Sequence, residues 1–349
     1  MHSISQKGSF LVLLAATLVS LLIAGCGGGG EQYYPIQKGE KWGYINASGD
    51  VVIEPQFDHA DPFHEGRAVI GKKADLEGPF DKLYGYINTS GDVVIEPQYR
   101  IARHFSSGLA PVQDSASEEY GYVNKQGKMV ISPQFSNAFP FSEGLAAVHT
   151  GSEGRVDPSW GYINTEGKIE IEPQFYGARR FRSGLAPVLK GGGFVTGKWG
   201  YINKNGEVVI EPQYTQARPF SNGLAPVEKE EGDGGVLADE FWGYIDKEGS
   251  VKIKIDKELA LPFSDGLAPM KGSSGWVYVS PSGETVIEGD WALAKPFRGE
   301  LARVALNGGI GQGHTGGTYS VRVGSDARHA YINRSGETVW KATAPSQKE

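Results

Sequence analysis

The sequence has one cysteine, Cys26, among 349 residues, three methionines and no excess of basic residues. A single thiol excludes an intrachain disulfide framework and a cysteine-rich zinc site. With 34 lysines and arginines against 41 acids, the formal charge of -7 gives no positive field for a phosphate backbone, which argues against nucleic acid as a partner. The apolar run Phe10 to Ile23 falls short of the ~20 residues a spanning helix needs. Histidines at 59, 64, 104, 149, 314 and 329 lack the spacing of metal ligands, so no metal and no cofactor is expected. No Gly-x-Ser-x-Gly is present, and the glycine-rich stretches 191–193 and 308–317 lack the Gly-Lys-Ser/Thr of a phosphate loop. No catalytic constellation is legible, and the chain is not expected to be an enzyme.

What is abundant is glycine, 50 residues where an average composition supplies about half as many. Tryptophan, tyrosine and phenylalanine (7, 16 and 15) allow a sizeable core, which excludes global disorder. At the N-terminus, Lys7 precedes the apolar run, which ends in Ala24-Gly25-Cys26 and four glycines, the pattern of a signal peptide. Leu22-Ile23-Ala24-Gly25-Cys26 resembles a bacterial lipobox, which implies cleavage between Gly25 and Cys26 and lipid attachment at Cys26. That resemblance implies export to the cell envelope, with the outer membrane favoured by Gly27 if the cell has one. An ordinary secretory signal or an uncleaved anchor would use the same run. The expected organisation is a signal peptide at 1–25, lipidated Cys26 with a flexible tether to 32, one β domain at 33–340 and a tail at 341–349.

Past the tether one unit recurs. Its marker is aromatic-Gly-Tyr-Ile-Asn followed by a turn glycine: Trp42-Gly43-Tyr44 with Gly49, then copies at Tyr84, Tyr120, Trp160-Gly161, Trp199-Gly200 and Trp242-Gly243, and worn copies at Trp276 and His329. The aligned tyrosines, 44, 86, 122, 162, 201, 244, 278 and 331, recur at about 40 residues with ragged spacing, which means a fixed unit with variable loops. Trp42 and Tyr44 share one strand face. Asn46-Ala47-Ser48-Gly49 has the letters of a type I turn closed by a left-handed glycine, leading into Val51-Val52-Ile53-Glu54-Pro55-Gln56-Phe57. A turn such as Ala217-Arg218-Pro219-Phe220 follows, then a third segment such as Gly108-Leu109-Ala110-Pro111-Val112, whose proline predicts an edge or a strand end.

Lys41-Trp42-Gly43-Tyr44-Ile45-Asn46, with Pro-Gln-Phe and Phe-x-x-Gly-Leu-Ala-Pro-Val, resembles the bacterial WG repeat, also called the KWG repeat, over residues 33 to about 340. The resemblance implies a tandem β-repeat protein and carries over no catalytic residue. Pro-Gln-Phe is lost near Ile255 and near Gly289, so packing there is the least constrained. The predicted class is all-β, about eight three-stranded antiparallel units in a propeller-like closed ring, with Tyr33 to Gly39 completing the C-terminal unit; an open β-solenoid explains the same letters.

Two columns invite a functional reading. The leading aromatics from Trp42 to Trp276 serve either inter-unit packing or a ligand platform. Glu54, Glu96, Glu172 and Glu211 recur before Pro-Gln and read as solvated strand ends. Length varies at one point of the unit: Val69 to Tyr86 is 17 residues, Met270 to Tyr278 is 8, and Val304 to Tyr331 is 27. Insertions entering at one point share one face, as binding loops on repeat scaffolds do. The expected function is therefore a lipid-anchored envelope protein that binds a protein or glycan partner without catalysis. The alternatives are a cell-wall glycan module using exposed aromatics, or a hydrolase in a central pocket.

Overall fold

A computed structural model describes residues 32–74, 81–152, 157–192, 196–231, 239–255, 259–272, 275–307, 310–315, 318–323 and 328–342. The chain divides after Gly30 into two compact units. The first, which contains Gly25 and Cys26, lies outside the described residues. The second is an eight-bladed β-propeller.

Strands β1 (Tyr34–Lys38), β2 (Lys41–Ile45) and β3 (Val51–Phe57) form one antiparallel blade. The next, blade 1, is β4 (His59–Ala60), β5 (Ala68–Lys73), β6 (Lys82–Ile87) and β7 (Val93–Tyr99) in sequential order. Strands β8 to β27 repeat that order through blades 2 to 6, at 101–135, 137–175, 177–214, 216–255 and 259–289. Blade 7 is β28 (Leu293–Ala294), β29 (Ala302–Ala305), β32 (His329–Ile332) and β33 (Thr338–Lys341). Between β29 and β32, strands β30 (Ile310–Thr315) and β31 (Thr318–Val323) pair, among the described residues, only with each other. The N-terminal blade is the eighth.

Three-stranded units were expected, and seven blades have four strands. The additional strand is a two-residue inner strand such as His59–Ala60, too short to carry a periodic signal, which pairs with β5 at His59↔Gly71 and Ala60↔Ile70. The first strand also departs from expectation. β1 pairs with β2, from Tyr34↔Ile45 to Lys38↔Lys41, and so belongs to the hairpin that follows it instead of completing the C-terminal blade. β33 pairs with β32, whose other neighbour is β29. The repeat proline likewise sits inside a blade: Pro111, in β9 (Leu109–Gln113), is flanked by inner strand β8 (Ile101–Ala102) and by β10 (Tyr120–Asn124). It is tolerated there because β8 reaches only Ala102↔Val112, and Arg103 N donates to the Pro111 carbonyl at 3.0 Å just beyond.

Local chemistry dictates these hairpins. The turn after β2 has Gly49 N donating to Asn46 O at 3.2 Å, while Asn46 Oδ1 accepts from Ser48 N and Asp50 N. A register shift follows between Tyr44 and Ile45. The turn after each inner strand is tighter; in Ser221-Asn222-Gly223-Leu224 both central residues have positive φ, 51° and 78°, the type I′ geometry that Asn-Gly favours. The glycine of the Trp-Gly pair has a different cause. A Cβ on Gly200 would lie 2.6 Å from the Ile210 carbonyl oxygen and 2.7 Å from Pro212 N, so a bulged neighbouring strand leaves no room for one.

The core lies along the tyrosine column. Tyr44, Tyr86, Tyr122, Tyr162, Tyr201, Tyr244 and Tyr278 are fully buried, and each hydroxyl donates to a backbone carbonyl 17 residues on, at 2.7–2.9 Å, from Asp61 O to Lys295 O. Each carbonyl belongs to the inner turn of the next blade, so every such bond ties two blades together. A buried hydroxyl needs that partner, since an unsatisfied one costs ~1–3 kcal/mol. The phenylalanine of each inner turn packs on the same tyrosine, as Phe63 does on Tyr44 at 4.8 Å.

Candidate functional site

Around the inner turns lies a cavity of about 790 Å³. Blades 1, 4, 5, 6, 7 and 8 all contribute to its wall, which places it on the ring axis. Two positions of these turns reach it: the residue after the inner strand's alanine (Asp61, Arg218, Leu261 and Lys295), and residues flanking the buried phenylalanine, such as Arg180, Arg182 and Arg298. Around the whole ring the first position is chemically varied, being Asp61, Arg103, Phe139, Arg179, Arg218, Leu261 and Lys295, of which Arg103, Phe139 and Arg179 do not line the cavity.

The channel wall is basic. Arg180 and Arg182 come from blade 4, Arg218 from blade 5, and Lys295, Arg298 and Arg303 from blade 7; Asp61 and Asp265 are the carboxylates that line it. Arg180 is exposed to water, yet desolvation lowers its guanidinium to about 10, with Arg182 and Arg298 adding to the effect. A side chain that is wet but surrounded by protein is one that projects into an enclosed passage. Burial likewise lowers Arg298 and Arg303, and it lowers Lys295 with help from Arg303 and Arg218. His64 and His104 stack at 4.2 Å at the edge of this cluster. Burial, followed by the neighbouring arginines, lowers His64 to about 4. Burial, followed by His64, lowers His104 to about 3. Both are therefore neutral at pH 7, and His64 Nε2 accepts from Arg298 Nη1 at 3.0 Å.

The aromatic column predicted from sequence is committed to packing. Trp199, Trp242 and Trp276 are 3%, 3% and 1% exposed. Guanidinium groups cover Trp42 (Arg303, 5.2 Å), Trp199 (Arg179, 4.5 Å) and Trp242 (Arg218, 5.7 Å). Trp160 stacks on Phe139 at 5.4 Å. A glycan platform would need those faces open. Glu54, Glu96, Glu172 and Glu211 stand exposed on the outermost strands and do not line the channel.

One hydroxyl, imidazole and carboxylate do line up: Ser136 Oγ lies 2.6 Å from His149 Nδ1, and His149 Nε2 lies 3.5 Å from Asp157 Oδ1. At the matching positions of blade 5, Thr215 Oγ1 donates to the carbonyl and to the carboxylate of Glu228, both at 3.1 Å. The hydroxyl contact thus recurs at the same position of two blades, where the residue before the inner strand meets the second strand. Among the described residues no cluster of metal-ligating side chains occurs.

The length variation seen in sequence falls at the connection between the second and third strands of each blade, where strand direction puts all such loops on one face. In blade 5 the two strands run on as Glu230↔Glu240 and Glu231↔Asp239, and in blade 7 the connection carries the β30–β31 hairpin. The basic channel was not visible in the sequence, since its cations are scattered over more than a hundred positions. The signal that could have found it is the substitution of arginine or lysine within the inner-turn column.

The WG containing repeat family matches residues 42–73, 84–114, 120–151, 160–194, 199–232 and 242–271. No curated protein sequence matches the chain. Among solved structures, one described as the eukaryotic initiation factor is similar at 11% identity, covering 90% of this chain and 89% of that one, with a TM-score of 0.52. Apo AztD from Citrobacter koseri is similar at 8% identity over 91% and 95%, with a TM-score of 0.51. At such identities the likeness concerns the fold alone. Six matched repeats on a ring of eight blades make this chain a member of the WG-containing repeat family.

Proposed function

We propose that the protein is a lipid-anchored binding scaffold of the bacterial cell envelope, favouring the outer membrane, that holds a protein or glycan partner on its loop face and performs no catalysis. The observation that carries this reading is the contrast between a frame of constant length, fixed by tyrosine bonds 17 residues long, and connections that vary only on one face. Rigid scaffolds with variable loops are how repeat proteins diversify binding. The lipobox-like Leu22 to Cys26 supports the anchor, and the glycines after it support a tether between lipid and ring.

The test compares wild type with a variant whose 228–240 and 306–328 segments are replaced by short turns. Envelope proteins and glycans captured by wild type are identified, purified and titrated against both forms. Loss of affinity in the variant is expected; equal affinity would remove the loop face from the proposal. Anchoring is read separately, by radiolabelled palmitate incorporation that Cys26→Ala abolishes; label retained in that variant would overturn it.

A further inference from the structure

We infer that the axial channel is a binding site for a small polyanion, a molecule carrying several phosphate or carboxylate groups, held by Arg180, Arg182, Arg218, Lys295, Arg298 and Arg303. The site is separate from the loop face and stands whether or not that face binds a partner.

The first argument is charge in the wrong place. The chain as a whole carries -7, yet the channel wall brings six cations together against two carboxylates. Like charges in a poorly solvated cavity repel one another and are drawn toward a counter-ion. The second argument is availability. Several guanidinium groups of the ring interior are partly engaged: Arg103 lies over the Phe139 and Tyr120 rings and donates to Asn137 Oδ1 at 3.1 Å, Arg218 and Arg303 lie over Trp242 and Trp42, and Arg298 donates to His64. In contrast, among the described residues Arg180, Arg182 and Lys295 form no side-chain hydrogen bond, ion pair or ring contact, and all three are exposed to the channel. Surface cations of this protein commonly find carboxylates, as Lys41 does with Asp58 at 2.6 Å and Lys252 with Asp246 at 2.8 Å. The third argument is size. About 790 Å³ lies within the range of small-molecule sites and is far larger than one inorganic ion requires, while no folded partner could enter it. Cations from three different blades suit a ligand whose charges are distributed over its length. Forked guanidinium groups also match phosphate and carboxylate geometry.

His64 adds a condition. Neutral at pH 7, it leaves Arg298 free of repulsion from that ring; protonated, it would add a further positive charge beside Arg298 and Arg180, with Asp61 and Glu65 as the nearby opposing charges.

The experiment is calorimetric titration of the full-length protein in detergent with tripolyphosphate, citrate and inorganic phosphate, at low salt and in 0.5 M sodium chloride. We expect one site per chain, at least tenfold tighter for tripolyphosphate or citrate than for inorganic phosphate, and weaker in high salt. The tighter of the two polyanions identifies which anionic group the site prefers. Arg180→Gln with Arg298→Gln should weaken binding at least tenfold while raising the melting temperature of the unliganded protein, because repulsion is relieved. Lys295→Gln, a single exposed change, gives the same readout if the double variant fails to fold. Lys252→Gln on the outer rim should change nothing. Absence of heat with both polyanions at low salt, undiminished binding in the channel variants, or equal loss in Lys252→Gln would each overturn the inference.

Discussion

Tyr331 donates its hydroxyl to the Pro35 carbonyl at 2.9 Å, joining residues 296 apart in the sequence. It is the eighth member of the tyrosine column, and the carbonyl 17 residues on that its counterparts use is replaced by one from the N-terminal blade. Tyr34 returns the bond across the same seam, donating to Arg298 O at 2.9 Å, and the two rings meet at 5.5 Å. Among the described residues the ring therefore closes by packing and two tyrosine bonds, with no strand exchanged between the first and last blades.

Tyr331→Phe should leave the buried Pro35 carbonyl unsatisfied and destabilise the protein by ~1–3 kcal/mol in urea unfolding. Hydrogen exchange should rise first in Tyr34–Lys38. If exchange rises equally in all blades, the seam is not where the ring opens.

Gly200→Ala should cost far more than Gly223→Ala, although both change one methyl group. At Gly200 the added Cβ meets strand backbone at 2.6 Å, whereas at Gly223 there is open space and only the φ of 78° is unfavourable. About 1 kcal/mol is expected for the latter, and several times that, or failure to fold, for the former. Equal melting temperatures for the two variants would contradict the packing account.

Stability should fall as pH drops from 6.5 toward 3. His64, His104 and His329 are held at about 4, 3 and 4 in the folded protein, so between those values and 6.5 the unfolded chain binds more protons. Their contribution is present above pH 6.5 and lost on acidification. Replacing His64 and His104 with glutamine should flatten melting temperature against pH over that window; an unchanged slope would exclude them as its source.

Excising 307–327 and joining the ends with a short glycine turn should leave the melting temperature within a few degrees of wild type. Among the described residues the β30–β31 hairpin pairs with no strand of the ring, and β29 already pairs with β32 without it. A large loss would mean that this hairpin braces blade 7.

Much of the frame was legible because its causes are local. Asn46 and Gly49 specify a turn by their own chemistry, and Trp42-Gly43-Tyr44 specifies a strand by alternation and by a glycine with no room for a side chain. The two-residue inner strands were not legible, since they are shorter than any periodicity. The partner of β1 was misplaced because the spacing from Ile36 to Tyr44 fits either assignment, and only hydrogen bonding to Lys41–Ile45 decides it. The channel is hidden in the sequence for a further reason. Arg180, Lys295 and Arg303 differ from their counterparts in neighbouring units, so repeat alignment averages them away.

The sequence alone determined the unit, its turns and its count, because those follow from short-range sterics and from hydrophobic spacing repeated eight times. Tertiary structure decided that the units close, that the aromatic faces are consumed in packing, and that cations from blades 4, 5 and 7 converge on one axis. The physical reason is curvature: only when each tyrosine hydroxyl reaches the next blade's inner turn does a linear array bend round, and residues far apart in the chain then share one enclosed volume.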